Sequence, residues 1–270
     1  MCPAARMLSV LAVGAAVVLL GVGVQALTVD ADAPMSQPGT PAREPLPTAV
    51  VDPASGAGPA DGAASEGSLR ADEDAAVTGT AAGRRVTIDP AWLAETTAAT
   101  GIPPRALRAY ATADLVIESE QPSCAIGWNT LAAIGGIESD HGRHGGAVLG
   151  EDGRSSPAIF GPALDGDGVA AIADTDGGRW DGDTTWDRAV GPLQFIPDTW
   201  TRWGADGDGD GTADPHQLDD AALAAARYLC ASSTMTDAAG WRRAVFAYNH
   251  LDAYVDDVAA LANRYAAATG

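Results

Sequence analysis

Along the C-terminal part of this chain, apolar residues recur at spacings of three and four, the period of helices that bury one face. The first run opens at Asp89-Pro90, a capping residue with a proline at the first helical position. It carries Trp92 and Leu93 up to the breaker Thr100-Gly101-Ile102-Pro103-Pro104. A second helix follows, with Leu107, Tyr110, Ala111, Leu115 and Ile117 along it. Asn129 is placed to cap a third, through Leu131, Ile134 and Ile137 to Glu138. After His141 come about forty-five glycine- and aspartate-rich residues without sustained period, a length that in an ordered protein is usually functional. Further helices are expected over 197–203, 218–230, 238–248 and 252–267. No alternation of strand type persists, so the expected class is mainly α.

The N-terminal part is patterned differently. Residues 7–27 form an uncharged apolar run of 21 residues preceded by Arg6. As a helix it would span ~31 Å, close to the ~30 Å hydrocarbon layer. It reads either as an uncleaved membrane anchor or as a secretory signal peptide, with Val24-Gln25-Ala26 an acceptable cleavage site. Cys2 precedes the run rather than following it, which argues against lipidation. In both cases the body is exported. All fifteen aromatic residues lie at or after Trp92, and seven of the seventeen prolines fall within 34–59. A Pro/Ala/Gly-rich stretch over 28–86 therefore has too little apolar surface to offset the entropy of ordering, and is expected to be a disordered linker. One folded domain remains, over 87–270.

Charge narrows the partners. The chain has no lysine; sixteen arginines face 28 Asp and 8 Glu, for a net charge of −20. This excludes nucleic acid and anionic lipid surfaces, whose phosphates need matching cations, and leaves membrane contact to the N-terminal segment alone. Between His141 and Asp220 sixteen carboxylates face five arginines, a density that a bound divalent cation would relieve and that a solvated acidic surface explains equally. Asp206-Gly-Asp208-Gly-Asp210-Gly211 has the Asp-x-Asp-x-Asp-Gly spacing of a calcium loop. Thr212 would add its carbonyl, and Asp214 stands at the ninth position; the twelfth is Gln217, with Asp219 and Asp220 just beyond. A structural Ca2+ is the one cofactor expected, none being needed for catalysis; the alternative is an Asp/Gly turn bonding its own amides. A second string, Asp174, Asp176, Asp181 and Asp183, lacks a continuous ligand spacing. Asp140, His141 and His144 do not have His-Glu-x-x-His spacing, so zinc is not indicated. Cys124 and Cys230, in an exported domain, are expected to be bridged, closing a loop of 106 residues worth roughly 4–5 kcal/mol in the chain-entropy model.

Glu138 is the informative position. It shares a helix face with Leu131 and Ile134. A carboxyl ending an apolar stripe is partly desolvated, which raises its pKa as a glycosidase general acid requires. The alternative is a glutamate exposed at a fraying helix end. The next and last glutamate is Glu151, in a polar loop. A two-carboxylate glycosidase would need an aspartate from the loop region, and no spacing selects one.

Residues 134–146, IGGIESDHGRHGG, resemble the segment carrying the sole catalytic glutamate of lytic murein transglycosylases of the membrane-bound type B class. Gly191-Pro192-Leu193-Gln194-Phe195-Ile196-Pro197 with Thr199-Trp200, the Asp-Gly loop, and Ala247-Tyr248-Asn249-His250 follow in that family's order, so the resemblance spans 100–265. It implies a lysozyme-like (SLT) catalytic domain, with peptidoglycan glycan strands as substrate. It also implies cleavage of the MurNAc–GlcNAc β-1,4 bond by Glu138 alone. Glu138 would act first as acid on the glycosidic oxygen, then as base on the C6 hydroxyl of the same MurNAc, closing a 1,6-anhydro ring. No second carboxylate is then required, because the substrate supplies the nucleophile. The resemblance further implies that Gln194 lines the cleft and that Tyr248 and Asn249 face the glutamate and orient its carboxyl. Thr185, nine residues before Gln194, matches a hydroxyl near that carboxyl. Where the family has an aromatic or small polar residue soon after the glutamate, this chain has Asp140 and His141. Two other readings stay open, a hydrolytic muramidase using water and a non-catalytic, calcium-stabilised wall-binding module.

Overall fold

The computed structural model describes residues 51–52, 77–81 and 84–270. The apolar run 7–27 and most of the proposed linker lie outside the described residues. Among those described, no helix is long and apolar enough to cross a membrane.

Three strands, β1 (Val51–Asp52), β2 (Val77–Ala81) and β3 (Arg84–Ile88), form an antiparallel sheet in the order β1-β3-β2. The linker expectation over 28–86 is corrected at these positions. Composition averaged over that stretch hides a short β-branched segment at its end, and Val86 and Ile88 are fully buried.

Helix α1 (Pro90–Thr100) starts as its capping signal predicts: the Asp89 carboxylate accepts the amides of Ala91 at 2.8 Å and Trp92 at 3.4 Å. Gly101, left-handed at φ 74°, ends it. Helices α2 (Pro104–Glu120) and α3 (Trp128–Ser139) follow. Here Asn129 does not cap, a second correction. Helix α3 begins at Trp128, whose amide donates to the buried carboxylate of Asp114 on α2 at 2.8 Å. Asn129 instead donates sideways to the Ala262 carbonyl at 3.3 Å. The cap comes from a residue distant in sequence, invisible to local reading.

The glycine- and aspartate-rich stretch contains a 3-10 turn (His144–Gly146) and two small hairpins. The first pairs β4 (Val148–Leu149) with β5 (Ser155–Ser156), the second β6 (Phe160–Ala163) with β7 (Arg188–Val190). Helices α4 (Pro197–Trp203), α5 (Leu218–Ser232), α6 (Ala238–Tyr248) and α7 (Asp252–Thr269) complete the mainly helical architecture. Helix α2 packs on α5 and α3, α3 lies on α7, and α6 bridges α5 and α7. The core gathers Leu107, Tyr110, Trp128, Leu131, Ile134, Leu218 and Tyr254. Cys124 and Cys230 are bonded, tying the segment before α3 to the end of α5.

Candidate active site

Glu138 sits in the last turn of α3, half-buried. The Tyr254 hydroxyl of α7 donates to its Oε1 at 2.6 Å. Burial raises the carboxyl from 4.5 to about 7, the hydrogen bond from Tyr254 opposing it. No carboxylate contributes to that shift among the described residues. The helix end is anchored beside it: Ser139 donates to the Pro192 carbonyl at 2.6 Å and accepts the Gly142 amide at 2.7 Å.

Pro192 belongs to the turn that carries Gln194. The turn enters through Gly191 at φ 74°, where a Cβ would collide with the Pro215 carbonyl, so only glycine fits. Gln194 is itself left-handed at φ 51°, buried, and its amide donates to the Gly191 carbonyl at 2.9 Å. One of its functions is thus to hold the turn. Tyr248 also braces this turn, its buried hydroxyl donating to the Leu193 carbonyl at 2.7 Å. The expectation that Tyr248 orients the carboxyl is corrected: Tyr254 supplies that hydroxyl, while Tyr248 packs between Phe195 and Tyr228. Asn249 is 1% exposed and its Oδ1 has no hydrogen-bond partner, an orphan acceptor of the kind that demands a ligand or water. Thr185 is exposed; its amide donates to Asp183 at 3.0 Å and its carbonyl accepts from Asp174 at 3.1 Å, neither reaching Glu138. An open cavity of 480 Å3 lined by Phe160, Asp181, Asp183, Thr184 and Arg188 adjoins the turn. Arg188 links the two, donating at 3.4 Å to the carbonyl of Gly161, which abuts the Gln194 amide.

The Asp-Gly loop folds around a carboxylate that its motif does not contain. Asp206, Asp208 and Asp220 bring one oxygen each within 4.8 Å of one another. Asp220, in the first turn of α5, accepts the amides of Gly207 at 2.6 Å, Asp208 at 3.2 Å and Asp214 at 2.9 Å. Burial raises it to about 7. Three converging carboxylates, one of them desolvated, fit a hard divalent cation. Of the other expected ligands, Asp210 and Asp214 stand outside this group of three. Asp210 accepts the Thr212 amide at 2.7 Å, and Asp214 is ion-paired to Arg154 at 2.7 Å. A second triplet joins Asp174 and Asp176 to the fully buried Asp187. Like those of the first group, its carboxylates accept local donors, including both the amide and hydroxyl of Thr175 on Asp187 at 2.9 and 2.6 Å. Zinc is no better placed, since both ring nitrogens of His141 meet tyrosine hydroxyls.

The family model of the transglycosylase SLT domain matches residues 171–265, a span that holds Gln194, the Asp-Gly loop and Tyr248-Asn249 but starts after Glu138. No curated protein matches the chain. Among solved structures, the Escherichia coli lytic transglycosylase SLT35 in complex with bulgecin A is 15% identical with a TM-score of 0.36, covering 66% of this chain and 79% of that one. SltB3 from Pseudomonas aeruginosa, in complex with NAG-anhNAM-pentapeptide, is 23% identical with a TM-score of 0.25, covering 52% of this chain and 40% of that one. Residues 171–265, about a third of the chain, are thus similar to the transglycosylase SLT domain.

Proposed function

We propose that the protein cleaves the MurNAc–GlcNAc β-1,4 bond of peptidoglycan without water, leaving 1,6-anhydroMurNAc ends, with Glu138 as the single acid and base. The observation that carries this reading is the state of Glu138: half-buried, poised near neutrality and held by a neutral hydroxyl rather than by a second carboxylate. A group with a pKa of about 7 donates and recovers a proton with little cost in either direction. In the first step the Glu138 proton passes to the glycosidic oxygen as that bond breaks, and the GlcNAc hydroxyl departs. The carboxylate so formed takes the proton of the MurNAc C6 hydroxyl while its oxygen bonds to C1, so Glu138 ends protonated, as it began. Tyr254 stabilises the carboxylate between the steps through its 2.6 Å hydrogen bond.

Calcium held by Asp206, Asp208 and Asp220 would neutralise their mutual repulsion and fasten the loop to α5, a structural role. The substrate and the apolar run at 7–27 together favour an exported protein acting on the cell-wall side, anchored or secreted.

Digestion of purified peptidoglycan with mass analysis of the products tests the reaction. Anhydro ends, one water lighter than reducing ends, are expected, and Glu138→Gln should lower the rate by ~10⁴ or more, since one residue serves both proton transfers. Reducing ends would transfer the reading to a muramidase. Intact strands with bound protein would favour the wall-binding module.

A further inference from the structure

His141 is buried three residues beyond Glu138, and the proton transfers above make no use of it. Its backbone is left-handed at φ 57°, directly after Asp140 at φ 51°. Two successive non-glycine residues in that region persist only where their surroundings enforce it. The enforcing contacts are on the imidazole. Nδ1 lies 3.3 Å from the Tyr110 hydroxyl of α2, and Nε2 lies 3.1 Å from the Tyr265 hydroxyl of α7. A neutral imidazole has one donor and one acceptor nitrogen, so one tyrosine accepts and the other donates, and the ring is fully satisfied. Its nearest charged neighbours, Asp140 and Arg143, are paired to each other at 2.8 Å on the exposed side.

This line of three side chains rests directly on the helix that carries Glu138. Gly135 and Gly136 leave the backbone of α3 bare at that point. A Cβ on Gly135 would strike the Tyr110 hydroxyl; one on Gly136 would stand 3.3 Å from the imidazole and 3.0 Å from Leu261 of α7. The end of the helix closes on the same pair: the His141 amide donates to the Gly135 carbonyl at 2.9 Å and the Asp140 amide to Gly136 at 3.0 Å. Helix α7 therefore grips the end of α3 twice, through Tyr254 on Glu138 and through Tyr265 on His141. These tyrosines are 11 residues apart, about three helical turns, and so project from one face.

We propose that Tyr110, His141 and Tyr265 form a buried clamp that sets the position of Glu138 against Tyr254, with His141 as a positioning residue for the reaction. The clamp fixes the left-handed exit of α3, and through it the angle at which the last helical turn presents its carboxyl to α7. The inference rests on Glu138 being the acid and base.

The test compares the wild-type protein with His141→Phe, His141→Gln and Tyr265→Phe on purified peptidoglycan, with circular dichroism to verify folding. His141→Phe keeps a ring but no hydrogen-bonding atom. It should lower kcat about tenfold, the scale of a small misplacement of a reacting group, leave KM within about twofold, and shift the alkaline limb of the pH–rate profile. His141→Gln, whose amide retains a donor and an acceptor, should recover part of the loss. A folded His141→Phe with wild-type kcat and an unmoved pH limb overturns the clamp. If His141→Phe does not fold, Tyr265→Phe decides in its place: the same kcat loss and pH shift support the clamp, and wild-type behaviour overturns it. Glu138→Gln, assayed in parallel, separates the two levels. Full activity there would mark failure of the acid–base reading and remove the basis of the clamp with it.

Discussion

Glu138 and His141 change charge in the same pH window with opposite consequences for folding. Burial raises Glu138 from 4.5 to about 7. Between those values the folded chain keeps a proton that the unfolded chain has released, so stability falls as pH rises. Burial lowers His141 from 6.5 to about 4. Between those values the unfolded chain takes a proton that the folded chain refuses, so stability falls as pH falls. At 1.36 kcal/mol for each tenfold change in acidity, each effect reaches about 3 kcal/mol at the end of its window. In the wild type the two slopes oppose each other and nearly cancel.

Single substitutions expose them. Glu138→Gln keeps the size of the side chain and an acceptor for Tyr254 but cannot ionise. Relative to wild type it should gain little at about pH 4 and about 3 kcal/mol at about pH 8, even as activity is lost. The pH-dependent part of the His141→Gln difference runs the other way: its penalty should be greatest above about pH 6.5 and shrink by about 3 kcal/mol by about pH 4. Urea unfolding across that range reads both, because subtracting wild type from variant at each pH cancels every other titrating group. A Glu138→Gln difference that stays flat from acid to alkali would mean an ordinary, solvated carboxyl, and would refute the argument that burial prepares it as an acid.

Tyr254→Phe removes the donor on Glu138 and leaves the ring. A hydrogen bond to a charged group is worth about 1.5–3 kcal/mol, so the Glu138 pKa should rise by about one to two units and carry the alkaline limb of activity upward with a lower kcat; a limb that stays in place would exclude Tyr254 as the partner in solution. Calcium should raise the melting temperature of the wild type and chelator should lower it, whereas Asp220→Asn should respond far less; identical responses would remove Asp220 from the site. Reducing the Cys124–Cys230 bond should destabilise the domain by roughly 4–5 kcal/mol, the loop-closure entropy of 106 residues, and unchanged urea midpoints with and without reductant would contradict this.

Much of the helical frame is legible in the sequence because its signals are local. Asp89-Pro90 starts α1 and Gly101 ends it; apolar spacing delimits α4 to α7 within a residue or two. The partial burial of Glu138 is legible for the same reason, as a carboxyl at the end of an apolar stripe. Tyr254 is not, because Tyr254, Val255, Val258, Ala262 and Tyr265 read as the plain core face of α7. The available signal was chemical rather than periodic: a buried tyrosine hydroxyl needs a partner, and the face of α3 offered an unpaired carboxyl. The Asp-Gly loop divides likewise. Spacing brings Asp206 and Asp208 forward and leaves both Asp219 and Asp220 open just beyond the loop; the first turn of α5 is what places Asp220, not Asp219, against them.

Local rules fail most consistently around Glu138. Of the four non-glycine residues with positive φ among those described, Asp140 and His141 follow Glu138 and Gln194 sits on the facing turn; only Ala125 lies elsewhere. Each of the three is held by long-range contacts: His141 by tyrosines of α2 and α7, and the Gln194 turn by Ser139 and Tyr248. The strained backbone is thus enforced by packing between distant elements, and those elements also carry the hydroxyl on Glu138. Strain distributed this way ties the geometry of the acid to the integrity of the whole α2–α3–α7 contact. Loosening that contact should therefore cost activity before it costs the fold, as the clamp variants measure.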